Sequence, residues 1–183
     1  MSMSPAELET FLAQTFPTPL GVIATLRRDG SPHIIPVWFR WDTGVVKLWT
    51  TETRVWVRNL LRDPRVAFSV QTFEEPYPAV MMRGDATVAT ADDAATLVEI
   101  RAITRRYIVP EEVEGYIADW PDLRTIVTIV PARIVSWSAG GESLQAVAVT
   151  DQARRTERVV CGRAGGWHHS APVQLRSGEM RSG

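Results

Sequence analysis

Cysteine occurs once in the 183 residues, at Cys161, which excludes an internal disulfide framework and a multi-cysteine zinc site and fits a reducing compartment. Histidine is also scarce. His33 stands alone and His168 and His169 lie far along the chain, so no convergent metal set is expected. No stretch approaches about eighteen consecutive apolar residues, and the opening MSMSPAELETFLAQ is polar and acidic without a hydrophobic targeting core. These features lead us to expect a cytoplasmic protein. Neither sign of charge prevails: 20 Lys plus Arg face 21 Asp plus Glu, for a net charge of -1. Nothing global therefore points to nucleic acid or an anionic membrane as partner. The patterns GxGxxG, GxxxxGK(S/T) and GxSxG are all missing, which removes the common dinucleotide, P-loop and nucleophile-elbow sites. What remains, with 45% hydrophobic and 22% charged residues, suits one globular domain with a sizeable core.

Turn chemistry organises the first half of the chain. Ser4, Pro5 and Glu7 stand in the order that opens a helix, and Leu8, Phe11 and Leu12 share one of its faces. Leu20, Val22, Ala24 and Leu26 alternate as in a strand. Arg27-Arg28-Asp29-Gly30 supplies a tight turn, Ile34 to Trp41 continues as a second strand, and Asp42-Thr43-Gly44 turns the chain into a third over Val45–Thr50. Val57, Leu60 and Leu61 recur at helical spacing before Asp63-Pro64 stops a helix begun at Arg54. Strands follow over 65–71 and 79–90, separated by a loop at 73–78, the second interrupted near Gly84. Asp92 or Asp93 caps a helix to about Tyr107, with Ala95, Leu97, Val98, Ile100 and Ile103 as its apolar stripe, and Pro110 begins another helical turn. Thr125–Trp137 is the last strand. Six or so strands with short helices between them predict a mainly β fold, a small barrel with peripheral helices, over residues 1–138. Residues 139–183, rich in Arg, Gly, Ser and Gln, read as a flexible tail.

Two segments are able to carry chemistry. In Trp49-Thr50-Thr51-Glu52-Thr53-Arg54-Val55-Trp56-Val57-Arg58 a strand ends in hydroxyl residues and turns directly into a helix, whose unpaired N–H groups and dipole favour an anion. Arg54 and Arg58, four apart, share a helix face, and with Thr50, Thr51 and Thr53 they form either a phosphate cradle or an ordinary capped helix with solvated arginines. The second segment, Pro36-Val37-Trp38-Phe39-Arg40-Trp41, is an aromatic strand in which Trp38 and Phe39 point to opposite faces. One face meets the core; the other is either a platform for a planar heterocycle or an interface. Cys161 has no CxxC partner and reads as a free thiol.

Taken together, Leu20–Leu26, Asp29-Gly30-Ser31-Pro32-His33, Pro36–Phe39 with Trp41, Arg58-Asn59-Leu60 followed by Asp63-Pro64-Arg65-Val66, and Arg83-Gly84 with Ala86 resemble the pyridoxamine 5'-phosphate oxidase-like split β-barrel superfamily, and within it the flavin and deazaflavin (F420) oxidoreductase branch. The resemblance spans roughly residues 5–137. It implies an FMN-binding split barrel acting as a homodimer, with coenzyme F420, the favoured cofactor, or FMN held between subunits and a small organic substrate reduced or oxidised by hydride transfer. It implies further that Pro36, Val37, Trp38 and Phe39 run beside the ring system. The turn carrying Thr50, Thr51, Thr53, Arg54, Trp56 and Arg58 then takes the phosphate, and Tyr77 reaches the cofactor of the second subunit. No catalytic side chain is implied, because the cofactor carries the chemistry. One departure stands out: relatives place a lysine for the phosphate where this chain has Trp56. A charge-assisted hydrogen bond contributes about 1.5–3 kcal/mol. Either Arg54, shifted along the turn, supplies the charge, or the chain binds its cofactor weakly, binds another ligand or has lost activity. The alternative function is accordingly a non-catalytic flavin, deazaflavin or tetrapyrrole-binding split barrel.

Overall fold

The computed structural model describes residues 2–15, 17–120 and 124–138, together with the backbone of 146–147. Helix α1 (Pro5–Ala13) opens as its sequence dictates. The Ser4 hydroxyl accepts the Glu7 N–H, the Glu7 carboxylate accepts the Ser4 N–H at 2.7 Å, and Leu8, Phe11 and Leu12 are buried. Strand β1 (Gly21–Leu26) turns at Gly30, whose φ of +83° suits a residue without Cβ, into β2 (Pro32–Val37). The predicted second strand is in fact two. The chain leaves the ladder at Trp38 and Phe39 before the short β3 (Arg40–Asp42), and positive φ at Thr43 and Gly44 makes the hairpin into β4 (Val45–Thr51).

The remaining elements are α2 (Val55–Arg62), β5 (Arg65–Gln71), β6 (Ala79–Thr90), α3 (Ala94–Thr104), a 3-10 turn at Pro110–Glu112, α4 (Val113–Ala118), β7 (Arg124–Trp137) and β8 (Ala146–Val147). All strand pairs are antiparallel. The sheet order is β2-β1-β5-β6-β7-β4-β3, with β8 added to β7 at Ile134 and Val135. The long β6–β7 ladder slips register between Arg83 and Gly84. There a Cβ on Gly84 would lie 2.1 Å from the Val130 carbonyl oxygen, so glycine lets the two backbones approach at the bulge predicted for it.

The curled sheet closes on a core that includes Ile23, Phe39, Leu48, Phe68, Met82 and Ile129, all fully buried. Its inward residues show which face of β1 the alternation occupies. On β1 the buried positions are Gly21, Ile23 and Thr25, while Val22, Ala24 and Leu26 are half exposed, so the apolar alternation marks the outer face. Helix α2 packs against β1 and β6. It buries Trp56, Val57, Asn59 and Leu60 and leaves Leu61 exposed, contrary to the expected stripe. Asn59 donates from Nδ2 to the buried Thr25 hydroxyl at 3.0 Å, which ties helix to strand inside the core. Helix α3 buries Ile100 and Ile103 but exposes Ala95 and Val98. A second apolar cluster joins Ile100 of α3 to Val113 and Ile117 of α4, with Trp49 and Ile126 of the sheet packed against them. Helices α3 and α4 therefore cover the outside of β4 and β7. The expected tail lies outside the described residues, apart from the backbone of β8. Among the described residues no helix is long and apolar enough to cross a membrane.

Candidate functional site

A cleft of about 360 Å³ lies where β2, the end of β4, the start of α2 and α4 converge. Two of its walls follow from strand ends. Ile35, Pro36 and Val37 of β2 and Trp38 beyond it form one; Trp49, Thr50 and Thr51 of β4 form the other. Leu20, Arg54, Trp56, Tyr116 and Trp120 complete it.

Trp38 owes its position to the break between β2 and β3. The Phe39 N–H donates to the Tyr107 hydroxyl at 3.1 Å, and that hydroxyl lies 3.1 and 3.2 Å from the Pro19 and Phe39 carbonyl oxygens. Phe39 turns inward, edge-on to Phe68. Trp38 turns outward and stacks on the Tyr107 ring at 4.9 Å with 4° between planes, and Tyr116 lies 5.0 Å from it. Burial pushes the Tyr107 phenol above its usual range, against the bond to Phe39 and the nearby Arg106 cation, so at neutral pH it remains a donor. Arg106, whose guanidinium lies 4.7 Å from the Phe39 ring, is lowered from the usual arginine value by burial; it donates to the Leu12 and Gln14 carbonyl oxygens at the end of α1.

The opposite end of the cleft is the strand-to-helix turn. The Arg54 N–H donates to the Thr51 carbonyl oxygen at 3.3 Å and the Arg58 N–H to that of Arg54 at 3.2 Å, which starts α2. Arg54 itself is the N-cap, and α2 begins without a side-chain capping bond. Freed from that role, its guanidinium lies over the Trp120 ring, 5.3 Å from the centroid. Among the described residues no carboxylate pairs with it. The Thr51 and Thr53 hydroxyls are 3.1 Å apart. Trp49 meets Tyr116 and Trp120 edge-on at 6.1 and 6.5 Å. Among the described residues the lining is thus aromatic and hydroxylic, with Arg54 its one charged member and no acid–base pair. That donor set suits a planar ring carrying an anionic tail.

Of the residues singled out in the sequence, the structure brings Pro36, Val37, Trp38, Thr50, Thr51, Arg54 and Trp56 to this cleft. Phe39 lies instead in the core, fully buried, on the face opposite to Trp38. Thr53 and Arg58 are exposed and do not line the cleft. Tyr77 is 53% exposed on the loop before β6, also away from it. Trp56 is 3% exposed and serves core and cleft together. Sequence reasoning missed Trp49, Tyr116 and Trp120. The four-residue spacing of Tyr116 and Trp120 puts them on one helical side, but nothing local reveals that this side faces a strand end seventy residues earlier. Among the described residues no cluster of potential metal ligands occurs.

A family profile described as pyridoxamine 5'-phosphate oxidase matches residues 4–138. A conserved hypothetical protein from Mycobacterium tuberculosis superposes with a TM-score of 0.64 at 26% identity, over 78% of this chain and 92% of its own. An F420 reductase superposes with a TM-score of 0.53 at 27% identity, over 69% and 94%. A heme binding protein from Mycobacterium smegmatis shares the fold, with a TM-score of 0.58 at 19% identity, over 84% of this chain and 62% of its own.

Proposed function

Because the chain belongs to the pyridoxamine 5'-phosphate oxidase family, we propose that its cleft holds the ring and phosphate of a flavin or deazaflavin, and that the protein is an oxidoreductase acting on a small organic substrate. Coenzyme F420 is favoured over FMN, on the likeness to an F420 reductase at 27% identity. The observation that carries the reading is the lining itself: an arginine without a carboxylate partner among the described residues and two threonines at one end, and a strand edge with stacked aromatic rings at the other. When bound, the cofactor supplies the hydride chemistry. The chain supplies binding and orientation. Trp38, fixed by Tyr107, offers a flat wall; the Pro36–Val37 edge limits approach to the ring; and the surrounding rings exclude water.

The proposal includes a homodimer. Exposed apolar side chains on the outer sheet face, Ile34 at 63% and Met81 at 49% exposure, would supply a surface for a second copy, and Tyr77, which does not line its own cleft, would serve the partner's. A second reading, a non-catalytic carrier of flavin, deazaflavin or tetrapyrrole, is favoured by Trp56 alone, an indole where the family resemblance implies a lysine. For a haem the described residues of the lining offer no histidine, cysteine or methionine.

Titration of the apo-protein with F420 and FMN, followed by tryptophan quenching at fixed salt, tests both readings. Saturable micromolar or tighter binding of one cofactor, with reoxidation of its reduced form by an organic acceptor, supports the oxidoreductase. Binding without turnover favours the carrier, and binding of neither removes the cofactor from the cleft.

A further inference from the structure

The cation of the cleft is held from outside its own helix. Arg54 occupies a position where side chains of Ser, Thr, Asp or Asn accept backbone N–H groups, a task a guanidinium cannot perform. Its side chain has no carboxylate partner among the described residues and lies instead over the indole of Trp120, 5.3 Å from the centroid. Trp120 is itself fixed. Its backbone N–H donates to the Ile117 carbonyl oxygen at 3.2 Å, its ring meets Trp49 edge-on at 6.5 Å and Tyr116 at 6.3 Å, and Ile117 of α4 is anchored in the cluster with Ile100. A flexible cation on an exposed turn loses rotamer freedom when it grips an anion; one already resting on a ring loses less.

We propose that Trp120 is a positioning residue: it holds the Arg54 guanidinium at the cleft beside Thr50 and Thr51, so that this arginine provides the phosphate contact that Trp56 cannot. The inference rests on the cofactor reading above and adds to it the residue that orients the charge. The ligand class it selects is a planar heterocycle bearing one phosphate group at this end, since one cation and two hydroxyls match one phosphate. The indole face also remains available to Arg54 when the phosphate is bound, because a cation uses its N–H edge for the anion and its plane for the ring.

The test compares affinities for two pairs of probes, FMN against riboflavin and F420 against its phosphate-free deazaflavin chromophore, in the wild-type protein and in Trp120→Ala, Trp120→Phe, Arg54→Ala and the double alanine variant. Trp120→Ala is expected to lower the preference for the phosphorylated member about tenfold, and Trp120→Phe to retain most of it. Arg54→Ala is expected to give the same loss, and the double variant no more than Arg54→Ala alone. Arg54 is exposed, so its variant reports even if Trp120→Ala fails to fold, and Trp120→Phe then carries the indole arm. An unchanged preference in both Trp120 variants, or an equal loss for both members of each pair, overturns the positioning role while leaving the cofactor reading intact. If the wild-type protein binds none of the four probes, the cofactor reading fails and the role of Trp120 fails with it.

Discussion

Trp38 and Phe39 are neighbours with opposite duties. Phe39 is fully buried against Phe68, and the Arg106 guanidinium lies over its ring; Trp38 stacks on Tyr107 at the cleft. Truncating a buried phenylalanine removes its transfer free energy and leaves a cavity, so Phe39→Ala should cost about 3–5 kcal/mol. Trp38→Ala should move the urea midpoint by much less than Phe39→Ala and lower cofactor affinity instead. Comparable midpoints for the two variants in urea denaturation would show that the strand break does not separate core from site. That one of the two rings must meet the core is legible in a strand pattern; which one is not, because it depends on where the ladder stops, and a hydroxyl on Tyr107 sixty-eight residues away fixes that point. Gly21 teaches the same lesson. It looks like a neutral entry to β1, yet a Cβ there would lie 2.1 Å from the Phe68 ring, so its small size is a core requirement. Asn59, met first as part of a family motif, proves to be a buried donor to Thr25.

Elements whose signals are local were readable. The capping box at Ser4 and Glu7, the cap at Asp93, the turns at Gly30 and Gly44 and the bulge at Gly84 each depend on a few adjacent residues, and each forms where those residues predict. What holds α3 over the sheet was not readable. Arg40 of β3 and Lys47 of β4 both reach Asp42 and Glu99, at 3.1 and 2.8 Å from Arg40 and at 3.1 and 3.2 Å from Lys47, a four-member cluster joining hairpin to helix. Burial raises the Glu99 carboxyl, but the hydrogen bonds and charges of Arg40 and Lys47 outweigh it, and the net shift is below the usual carboxylate value. Asp42 is lowered too, chiefly by the Lys47 hydrogen bond, against some burial. A carboxylate with a depressed folded pKa binds its proton more readily when unfolded. Its stabilisation is complete above the unfolded value and is lost as pH falls through the folded one. Stability should therefore be flat in this respect near neutrality and decline below about pH 4. Glu99→Gln should flatten part of that acid limb, measured as urea midpoint against pH. An acid limb identical to that of the wild type would remove Glu99 from the account.

At the scale of the molecule, the outer face of β1, β2, β5 and β6 is the unresolved demand. Val22 and Ala24 form its apolar strip with the exposed Ile34 and Met81, and Arg83 stands directly opposite Arg133 across the β6–β7 ladder. Like charges in that register oppose pairing unless an anion or partner group relieves them. The alternation of Leu20, Val22, Ala24 and Leu26 was legible in the sequence but the face it occupies was not, because a monomer's core and an interface obey the same burial rule and only the closed barrel shows which face is left over. The proposed homodimer, formed through this face, would bury the strip. Sedimentation of the wild-type protein should then give twice the 20.4 kDa chain mass. Ile34→Arg/Met81→Arg, which adds repulsion to a surface already carrying arginines, should give the single-chain mass with an unchanged far-UV spectrum. Because these side chains are exposed in the single chain, loss of the dimer is expected without loss of fold. If the cleft needs the second copy, the same variant should also lose saturable F420 or FMN binding. A wild-type protein that sediments at the single-chain mass while binding cofactor would instead make the cleft sufficient by itself.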